Sequence, residues 1–312
     1  MKIVNHVMSN GTESSIFSSF IKYIEKNAQY FEHIVTIEPL PDADVYHYHR
    51  PQLECELLEN SVVTIHHDLR DNDSWLDFNS FLPRYQQAGQ VVCLNSNQQK
   101  LLLNNHGINS AIIPHGVNVN IFSTKGQKAT VVPSNDKLVL GVISKRYGRR
   151  VKGEAYIYEL LKRIDKNRFS FLFVGNGRIE EYKMAVSMGF EAKLYEKLPY
   201  RMFDQVYSKI DFLLMVSFYE GGPASVPEAL YTKTPIIGFN VGMMTDYIKD
   251  GINGVLLDGD YDKDAKTINS LFDKYEDIYQ KTVASKIDPI SWEDVSRLYE
   301  NIYLEVDERF KK

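Results

Sequence analysis

The chain is poor in cysteine and has no long apolar run. Only two cysteines, Cys55 and Cys93, occur among its 312 residues, and they do not form a C-x-x-C pair. This excludes a disulfide framework and a cysteine-rich zinc ribbon, and it is typical of a reducing compartment. No apolar run approaches the roughly 20 residues of a membrane-spanning helix, and the N-terminus lacks the apolar core of a signal peptide. We therefore expect a cytoplasmic protein, and peripheral contact with the inner face of a membrane stays open.

The chain also lacks an excess of positive charge. Its 36 lysines and arginines stand against 41 aspartates and glutamates, which gives a net charge of −5. A protein that binds nucleic acid through many phosphate contacts needs a basic surface, so this balance argues against nucleic acid as a partner. Internal repeats and low-complexity tracts are missing as well. A chain of this length and ordinary composition favours a globular protein of two domains.

Short apolar runs alternate with longer helical patterns along the chain, which is typical of βαβ units and predicts an α/β fold with parallel sheets. In the first half, strands are predicted at 2–6, 33–37, 44–48, 62–66, 91–94 and 111–113, and helices at 13–27, 79–88 and 97–105. In the second half, strands are predicted at 138–143, 170–174, 191–194, 212–215, 235–238 and 254–256, and helices at 153–164, 178–188, 200–208, 225–232, 243–249 and 262–284. Ligands bind at the carboxyl ends of parallel strands, so a cleft between two such halves is the expected site.

A polar stretch at 124–136 with little periodicity separates the two halves. We therefore predict an N-terminal Rossmann-like domain over 1–128 and a C-terminal one over 129–290. The last segment, 291–312, begins with Ser291 as an N-cap that has an acidic partner three residues later. It is predicted as a helix that packs back toward the N-terminal domain.

The most informative segment, residues 216–230, reads VSFYEGGPASVPEAL and follows an apolar strand. Its double glycine lets the backbone approach a ligand closely, and the next helix is predicted to begin near Ser225. The free N–H groups of a helix start suit a diphosphate. Glu220 precedes the loop and Glu228 lies in the helix, where carboxylates can accept hydrogen bonds from sugar or ribose hydroxyls. Taken alone, the segment is equally compatible with an ordinary strand–loop–helix that carries two exposed glutamates.

Glu220 and Glu228 form an E-x7-E pair that begins with E-G-G-P and ends with E-A-L, and it resembles the hallmark of the family 4 retaining glycosyltransferases. T-P-I-I-G at 234–238 and G-I-N-G-V-L-L at 251–257 resemble the strand and the turn that follow in that family. The resemblance implies a GT-B fold, in which two Rossmann-like domains face each other across a cleft. It implies that Glu220 contacts donor-sugar hydroxyls and that Glu228 binds the ribose. The loop and helix start that hold the donor would include Gly222, Ser225 and Val226.

A second element, residues 141–153, reads GVISKRYGRRVKG and carries five cations. Arginine offers bidentate recognition and lysine a point charge, which together fit a diphosphate, and a solvated basic loop is the plain alternative. The element resembles the G-R-x5-K-G motif of the same family, with Lys145 in place of the usual glycine. The resemblance implies that Arg146 and Lys152 neutralise the leaving diphosphate without a metal ion. Two further cations compete for this role, namely Arg149 and Arg150.

The first half carries weaker patterns of the same family. N-G-T-E at 10–13 resembles its N-terminal glycine loop, which would place Gly11 near the donor phosphate or the acceptor; a simple turn with Thr12 as N-cap explains it equally well. V-V-T-I-H-H-D resembles V-V-T-x-H-D, and its spacing favours His66 over His67 as the side chain that reaches the donor sugar or orients the acceptor. D-V-Y-H-Y-H at 44–49 matches a strand of the family and is interpreted mostly as core. I-P-H-G-V at 113–117 resembles the end of the first domain and is expected to be structural.

Together these patterns predict a retaining hexosyl- or N-acetylhexosaminyltransferase. It would use a nucleotide-sugar donor and a saccharide or lipid-linked saccharide acceptor, in polysaccharide or glycoconjugate biosynthesis. Glu220 and His66 are the expected catalytic residues, Leu198 is expected to contact the base through its backbone, and no metal or other cofactor is expected. Two alternatives stay open: a nucleotide-sugar 2-epimerase, which needs no acceptor, and a non-catalytic subunit that assists a partner. The sequence leaves the donor base, the sugar, the linkage and the oligomeric state open.

Overall fold

The computed structural model describes residues 1–11, 15–123 and 137–311, and the chain divides into two units. The first unit comprises Met1–Gly116, Glu220–Pro223 and Ile290–Lys312, and the second comprises Val117–Tyr219 and Ala224–Pro289. The predicted linker at 124–136, and with it the predicted boundary after residue 128, lies outside the described residues. The short segment Glu220–Pro223 groups with the first unit although it lies within the second half of the sequence.

The first unit is built on a parallel sheet of six strands in the order β2-β1-β3-β4-β5-β6. Its strands are β1 (Lys2–Val7), β2 (Phe31–Thr36), β3 (Val45–Tyr48), β4 (Ser61–Ile65), β5 (Gln90–Cys93) and β6 (Ser110–Ile112), and the connecting helices are α1 (Ser15–Lys26), α2 (Phe78–Gln87) and α3 (Ser96–His106). The strand order reverses at β1, so β1 and β3 flank a topological switch point. Loops at the carboxyl ends of these two strands are where a ligand of such a sheet binds.

The second unit repeats this plan with a parallel sheet in the order β12-β11-β10-β7-β8-β9. Its strands are β7 (Leu138–Ile143), β8 (Phe169–Val174), β9 (Ala192–Tyr195), β10 (Phe212–Met215), β11 (Ile236–Phe239) and β12 (Gly254–Leu257). Its helices are α4 (Glu154–Leu161), α5 (Ile179–Ser187), α6 (Phe203–Tyr207), α7 (Ser225–Tyr231), α8 (Met244–Tyr247) and α9 (Tyr261–Ala284). The switch point of this sheet lies between β7 and β10, and the two segments that carry the strongest motifs follow these strands.

The inner strands of both sheets are largely buried on both faces, as parallel sheets covered by helices require, whereas the edge strands β2, β6 and β9 have exposed positions. All four residues of β10, for example, are buried, and apolar side chains pack on both faces of each sheet. The predicted α/β class and the predicted order of strands and helices are confirmed. The helix expected at 200–208 is shorter, because the chain first makes a 3-10 turn at Tyr200–Met202 behind Pro199. Among the described residues, none of the helices combines the length and the hydropathy that a bilayer span requires.

The last helix, α10 (Trp292–Phe310), belongs to the first unit. The Ser291 hydroxyl accepts a hydrogen bond from the Asp294 N–H, and the Asp294 carboxylate accepts one from the Ser291 N–H, which confirms the predicted cap. One face of the helix is apolar, and its Val295 and Tyr299 are buried in the same core as Phe20 of α1. The C-terminal helix is therefore an integral part of the first unit.

Candidate active site

The E-G-G-P segment is held by side chains of the first unit. The Asn95 amide donates a hydrogen bond of 3.0 Å to the Gly221 carbonyl. The His115 ring donates one of 2.8 Å from Nδ1 to the Gly222 carbonyl. Both positions need glycine, because a Cβ atom on Gly221 would lie 2.6 Å from the His66 carbonyl oxygen and one on Gly222 would lie 3.0 Å from His115 Nδ1. The segment therefore lies against the chain that leaves β4.

This packing brings the two predicted catalytic residues, Glu220 and His66, into neighbouring stretches of the first unit. Glu220 is half-buried at the start of the E-G-G-P segment. His115, which the sequence suggested was structural, has a specific task here, since its ring fixes the carbonyl of a predicted donor-binding glycine, Gly222. Its Nδ1 must carry the hydrogen, because a carbonyl oxygen can only accept.

His66 and His67 have different surroundings. The His67 ring packs on Phe81 of α2, with ring centroids 4.4 Å apart. The His66 ring packs edge-on against Phe20 at 5.1 Å, and its Nε2 lies 3.2 Å from Nδ1 of His49. Burial lowers the pKa of His66 well below its ordinary value, and nearby His49 adds to this. The side chain is therefore neutral, and its Nδ1 is buried without a hydrogen-bond partner.

Gly11 lies in the loop that follows β1, at the switch point of the first sheet. It ends a 3-10 helix, Ser9–Gly11, in which Asn10 has a positive φ of 53°. The Thr12 that the sequence offered as an N-cap lies outside the described residues. The position of Gly11 is compatible with either interpretation of this loop.

In the second unit, Arg146 follows β7 at the switch point and is fixed by the turn after β8. Its N–H donates a hydrogen bond of 3.0 Å to the Asn176 carbonyl. Gly177 of the same turn has φ +83°, and a Cβ atom there would lie 3.2 Å from Arg146 Cβ. The Arg146 guanidinium lies 3.6 Å, from Nε to Oε1, from the buried carboxylate of Glu181. Backbone and charge therefore both hold Arg146 at the carboxyl edge of the sheet.

A buried ionic cluster lies next to Arg146, and sequence reasoning did not find it. The side chains of Arg178, Glu154 and Glu181 are all fully buried. Arg178 lies 3.8 Å from each carboxylate and also donates hydrogen bonds to the carbonyl and the hydroxyl of Ser144, at 2.8 and 2.6 Å. The sequence signal that could have revealed part of this cluster is the spacing of Arg178 and Glu181, which lie three residues apart at a helix start and can form an ion pair. The cluster ties α4 and α5 to the loop that carries Arg146.

Lys152 and Lys145 both approach the ring of Tyr147. Their Nζ atoms lie 5.5 and 5.7 Å from the ring centroid, within the range of cation–π attraction. The two competing cations, Arg149 and Arg150, are exposed. Lys152 is half-buried. It precedes Gly153, which packs so tightly that a Cβ atom would lie 2.0 Å from the Val216 carbonyl oxygen after β10. The loop is thus anchored across the switch point.

Glu228 is buried in α7, and both oxygens of its carboxylate have partners. The Tyr200 hydroxyl donates a hydrogen bond of 2.7 Å to Oε1, and the Tyr207 hydroxyl donates one of 2.8 Å to Oε2. Burial raises the pKa of Glu228 to about 7, while the two tyrosine hydrogen bonds hold it down. The carboxyl group therefore ionises near neutral pH. The structure corrects the picture of an exposed glutamate that the segment alone allowed.

The remaining predicted donor contacts also lie at this edge of the second unit. Leu198 lines an open pocket of about 440 Å³ after β9, together with Val174, Gly175, Glu196, Lys197, Pro199 and Phe203. Ser225 begins α7, which confirms the predicted helix start. The Val226 side chain is fully buried in the core, so only its backbone could meet a ligand. Thus Arg146 and Lys152 follow the carboxyl end of β7, and Leu198 follows that of β9. Glu228 lies in α7, the helix that follows β10.

Comparison with known proteins places this arrangement in a family. The family model described as "Glycosyl transferases group 1" matches residues 124–283, just over half of the chain. An uncharacterized glycosyltransferase of Methanocaldococcus jannaschii is 26% identical over 233 residues, which are 70% of this chain and 62% of that protein. The chain therefore spans less than two thirds of the length of this relative.

Solved structures of glycosyltransferases share the fold. Sucrose-phosphate synthase from Thermosynechococcus elongatus matches with a TM-score of 0.73 at 13% identity, covering 99% of this chain and 100% of that one. Anabaena HepE in complex with UDP-glucose matches with a TM-score of 0.72 at 13% identity, covering 98% and 100%. Identities this low show the fold alone, which is the predicted GT-B fold of two Rossmann-like units. The family model, which covers just over half of the chain, establishes that the chain belongs to the group 1 family of glycosyl transferases.

Proposed function

We propose that the chain is a metal-independent retaining glycosyltransferase of family 4. It transfers a hexosyl or N-acetylhexosaminyl group from a nucleotide sugar to a saccharide or lipid-linked saccharide acceptor. The observation that carries this proposal is the placement of Arg146, Lys152, Glu228 and the Leu198 pocket in segments that follow the carboxyl ends of strands in the second sheet. Polysaccharide or glycoconjugate assembly in the cytoplasm, with or without peripheral membrane contact, is the setting we predict.

The second unit has the chemistry that a nucleoside diphosphate requires. Arg146 and Lys152 bring two cations to the loop after β7, where they would neutralise the diphosphate as the glycosidic bond breaks. The pocket at Leu198 is open and partly apolar, which suits a base with backbone groups at its rim. Glu228, ionised above about pH 7, would accept hydrogen bonds from ribose hydroxyls. UDP-glucose in the HepE structure favours a uridine diphosphate sugar as the donor.

Glu220 and His66 would act on the sugar. Both belong to the first unit, where the E-G-G-P segment lies beside the chain that follows β4. Glu220 would bind donor-sugar hydroxyls, and His66, as a neutral imidazole, would contact the sugar or the acceptor through Nδ1. Because no covalent nucleophile stands out, we infer front-face transfer, in which the leaving phosphate takes the acceptor proton.

The test is donor binding and turnover without metal ions. Wild type is titrated by calorimetry with UDP-, GDP-, ADP- and TDP-sugars in EDTA, and slow donor hydrolysis is followed by NMR. We expect one donor to bind, and we expect its hydrolysis to release the sugar first with the same anomeric configuration that it has in the donor. Lys152→Ala should weaken binding roughly 10- to 100-fold, the loss of one charge-assisted hydrogen bond. Lys145→Ala, which removes an exposed lysine beside the same tyrosine, is the matched control.

The outcomes separate the alternatives. Release of an epimer of the donor sugar would point to a nucleotide-sugar 2-epimerase. Release of the inverted anomer would refute retention. If no nucleotide sugar binds, the donor site is wrong and the chain is better described as a non-catalytic subunit. Equal losses in Lys152→Ala and Lys145→Ala would show that the loop attracts the donor only through its net charge.

A further inference from the structure

Six of the eight histidines of the chain form one connected group of rings in the first unit. They are His6, His33, His47, His49, His66 and His115. Two of them bind partners other than histidine. His47 bonds the Tyr303 hydroxyl through Nδ1 and the Thr64 hydroxyl through Nε2, each at 2.8 Å, and His115 bonds the Gly222 carbonyl. The other four bond one another.

These four rings form a continuous chain with a regular geometry. His33 Nδ1 lies 2.8 Å from His6 Nε2, and His6 Nδ1 lies 3.0 Å from His49 Nε2. His49 Nδ1 lies 3.2 Å from His66 Nε2. Every link thus joins Nδ1 of one ring to Nε2 of the next. The two end atoms, His33 Nε2 and His66 Nδ1, are buried without a hydrogen-bond partner.

All four rings are neutral at physiological pH. Burial lowers the pKa of His6 and His66 well below the ordinary value, to about 4 for His33 and to about 3 for His49. The guanidinium of Arg50 also disfavours a positive charge on His49. A neutral imidazole carries one N–H and one lone pair. Each ring can therefore donate at one nitrogen and accept at the other.

The four rings therefore have only two tautomeric arrangements in which each ring-to-ring hydrogen bond contains one hydrogen. If His33 donates to His6, each ring carries its hydrogen on Nδ1, and His66 Nδ1 is a donor. If the direction reverses, each ring carries its hydrogen on Nε2, and His66 Nδ1 is an acceptor. A mixture of tautomers would place two hydrogens or two lone pairs in one buried link, which is costly.

We propose that His33, His6, His49 and His66 form a tautomeric relay. The shared tautomer of the four rings decides whether His66 Nδ1 donates a hydrogen bond to a substrate hydroxyl or accepts one from it, and a change at His33 alters that tautomer. His6, His33 and His49 are then positioning residues that act through His66. An unpartnered buried nitrogen calls for a hydrogen-bonding group in the working state, and a hydroxyl can serve as donor or acceptor. That this hydroxyl belongs to a sugar rests on the proposed function, whereas the coupling of the tautomers does not.

The interconversion is balanced in protons and needs no co-reactant. Both end atoms are buried, so the exchange takes place in local openings of the fold that admit water to them. One proton from water then binds His66 Nδ1, and the Nε2 protons of His66, His49 and His6 each pass to Nδ1 of the next ring. The Nε2 proton of His33 leaves to water. His33 is half-buried on β2, which is the edge strand of the sheet. The four rings are neutral before and after the transfer, and the reverse transfer restores the first tautomer.

A metal ion is the competing explanation. One ring nitrogen from each of His6, His47 and His49 lies within 4.8 Å of the others, close enough to surround an ion. Such an ion would take lone pairs that the relay uses, and it would break a hydrogen bond of His47 to Tyr303 or Thr64. Zinc titration, with NMR of the imidazole nitrogens as the readout, therefore distinguishes the two.

The experiment is long-range ¹H–¹⁵N correlation on the full chain labelled in its histidine rings. In wild type we expect one common tautomer for His6, His33, His49 and His66. His33→Lys places only donors at the end of the relay and should put the hydrogen of His66 on Nδ1. His33→Glu places only acceptors there and should put it on Nε2. The control is His106→Lys, at a histidine on Phe78 outside the relay, which should leave His66 unchanged.

Mixed tautomers in wild type, or the same tautomer of His66 in His33→Lys and His33→Glu, would overturn the relay. Stoichiometric zinc binding with metal-shifted nitrogens of His6 and His49 would overturn it too. We further expect the two His33 variants to differ roughly tenfold in kcat/KM for donor turnover, the effect of one hydrogen bond. Equal values would remove the role toward substrate. Absence of any turnover in wild type would instead count against the proposed function, and the tautomers would still be measurable.

Discussion

Glu228 is the group whose ionisation we expect to affect the stability of the second unit most. Burial raises its pKa from 4.5 to about 7, against the hydrogen bonds from Tyr200 and Tyr207. Because the pKa is higher in the folded than in the unfolded state, the stabilisation is complete below about pH 4.5 and is lost as the pH rises through about 7. At roughly 1.4 kcal/mol per pH unit, the loss amounts to about 3 kcal/mol of unfolding free energy.

The perturbation is Glu228→Gln, which keeps the shape of the side chain and cannot ionise. Urea unfolding is followed by far-UV circular dichroism at several values between about pH 4.5 and 8. Relative to wild type, the variant should gain about 3 kcal/mol across this window, most of it between about pH 5 and 7. The difference between the two proteins is the quantity to compare. The buried histidines of the first unit have lowered pKa values, so they destabilise both proteins alike as the pH falls.

Two controls make this result specific. Glu180→Gln removes an exposed carboxylate from the same unit and corrects for the change in net charge. Tryptophan fluorescence reports the first unit alone, since Trp75 and Trp292 both belong to it, whereas hydrogen exchange of α7 reports the surroundings of Glu228. A constant difference between wild type and Glu228→Gln over the whole range would refute the argument from burial.

Two further predictions concern the loop that carries Arg146. Glu181→Gln should destabilise the second unit by about 3 kcal/mol in urea unfolding, because it leaves the buried Arg178 less compensated, while Glu180→Gln at the neighbouring exposed position should have little effect. Gly153→Ala should cost about 3 kcal/mol, since φ is +76° and the new Cβ atom would lie 2.0 Å from the Val216 carbonyl oxygen. Gly148→Ala, in the same loop with no atom within 4 Å, should unfold like wild type.

The sequence was sufficient for the fold because each element carries a local signal. An apolar run such as FLLM at 212–215, which is buried on both faces, predicts a strand from its own residues. The N-cap at Ser291 is likewise a pattern of a few neighbouring residues. The E-x7-E pair likewise placed Glu220 and Glu228 on a loop and a helix. It could not show that Glu228 is buried against two tyrosines, because Tyr200 and Tyr207 lie 28 and 21 residues earlier, in a 3-10 turn and at the end of α6.

What the sequence hides is the pairing of buried polar groups that lie far apart in the chain. Glu154 begins α4 and Arg178 directly precedes α5, and His33 meets His6 only because β2 pairs with β1. Burying such groups is costly, so a fold retains them where they fix something else. In the second unit the ionic cluster fixes Arg146, and in the first the imidazole chain ends on His66. In each unit, therefore, the buried polar network leads to a residue that the sequence motifs had already marked for the site.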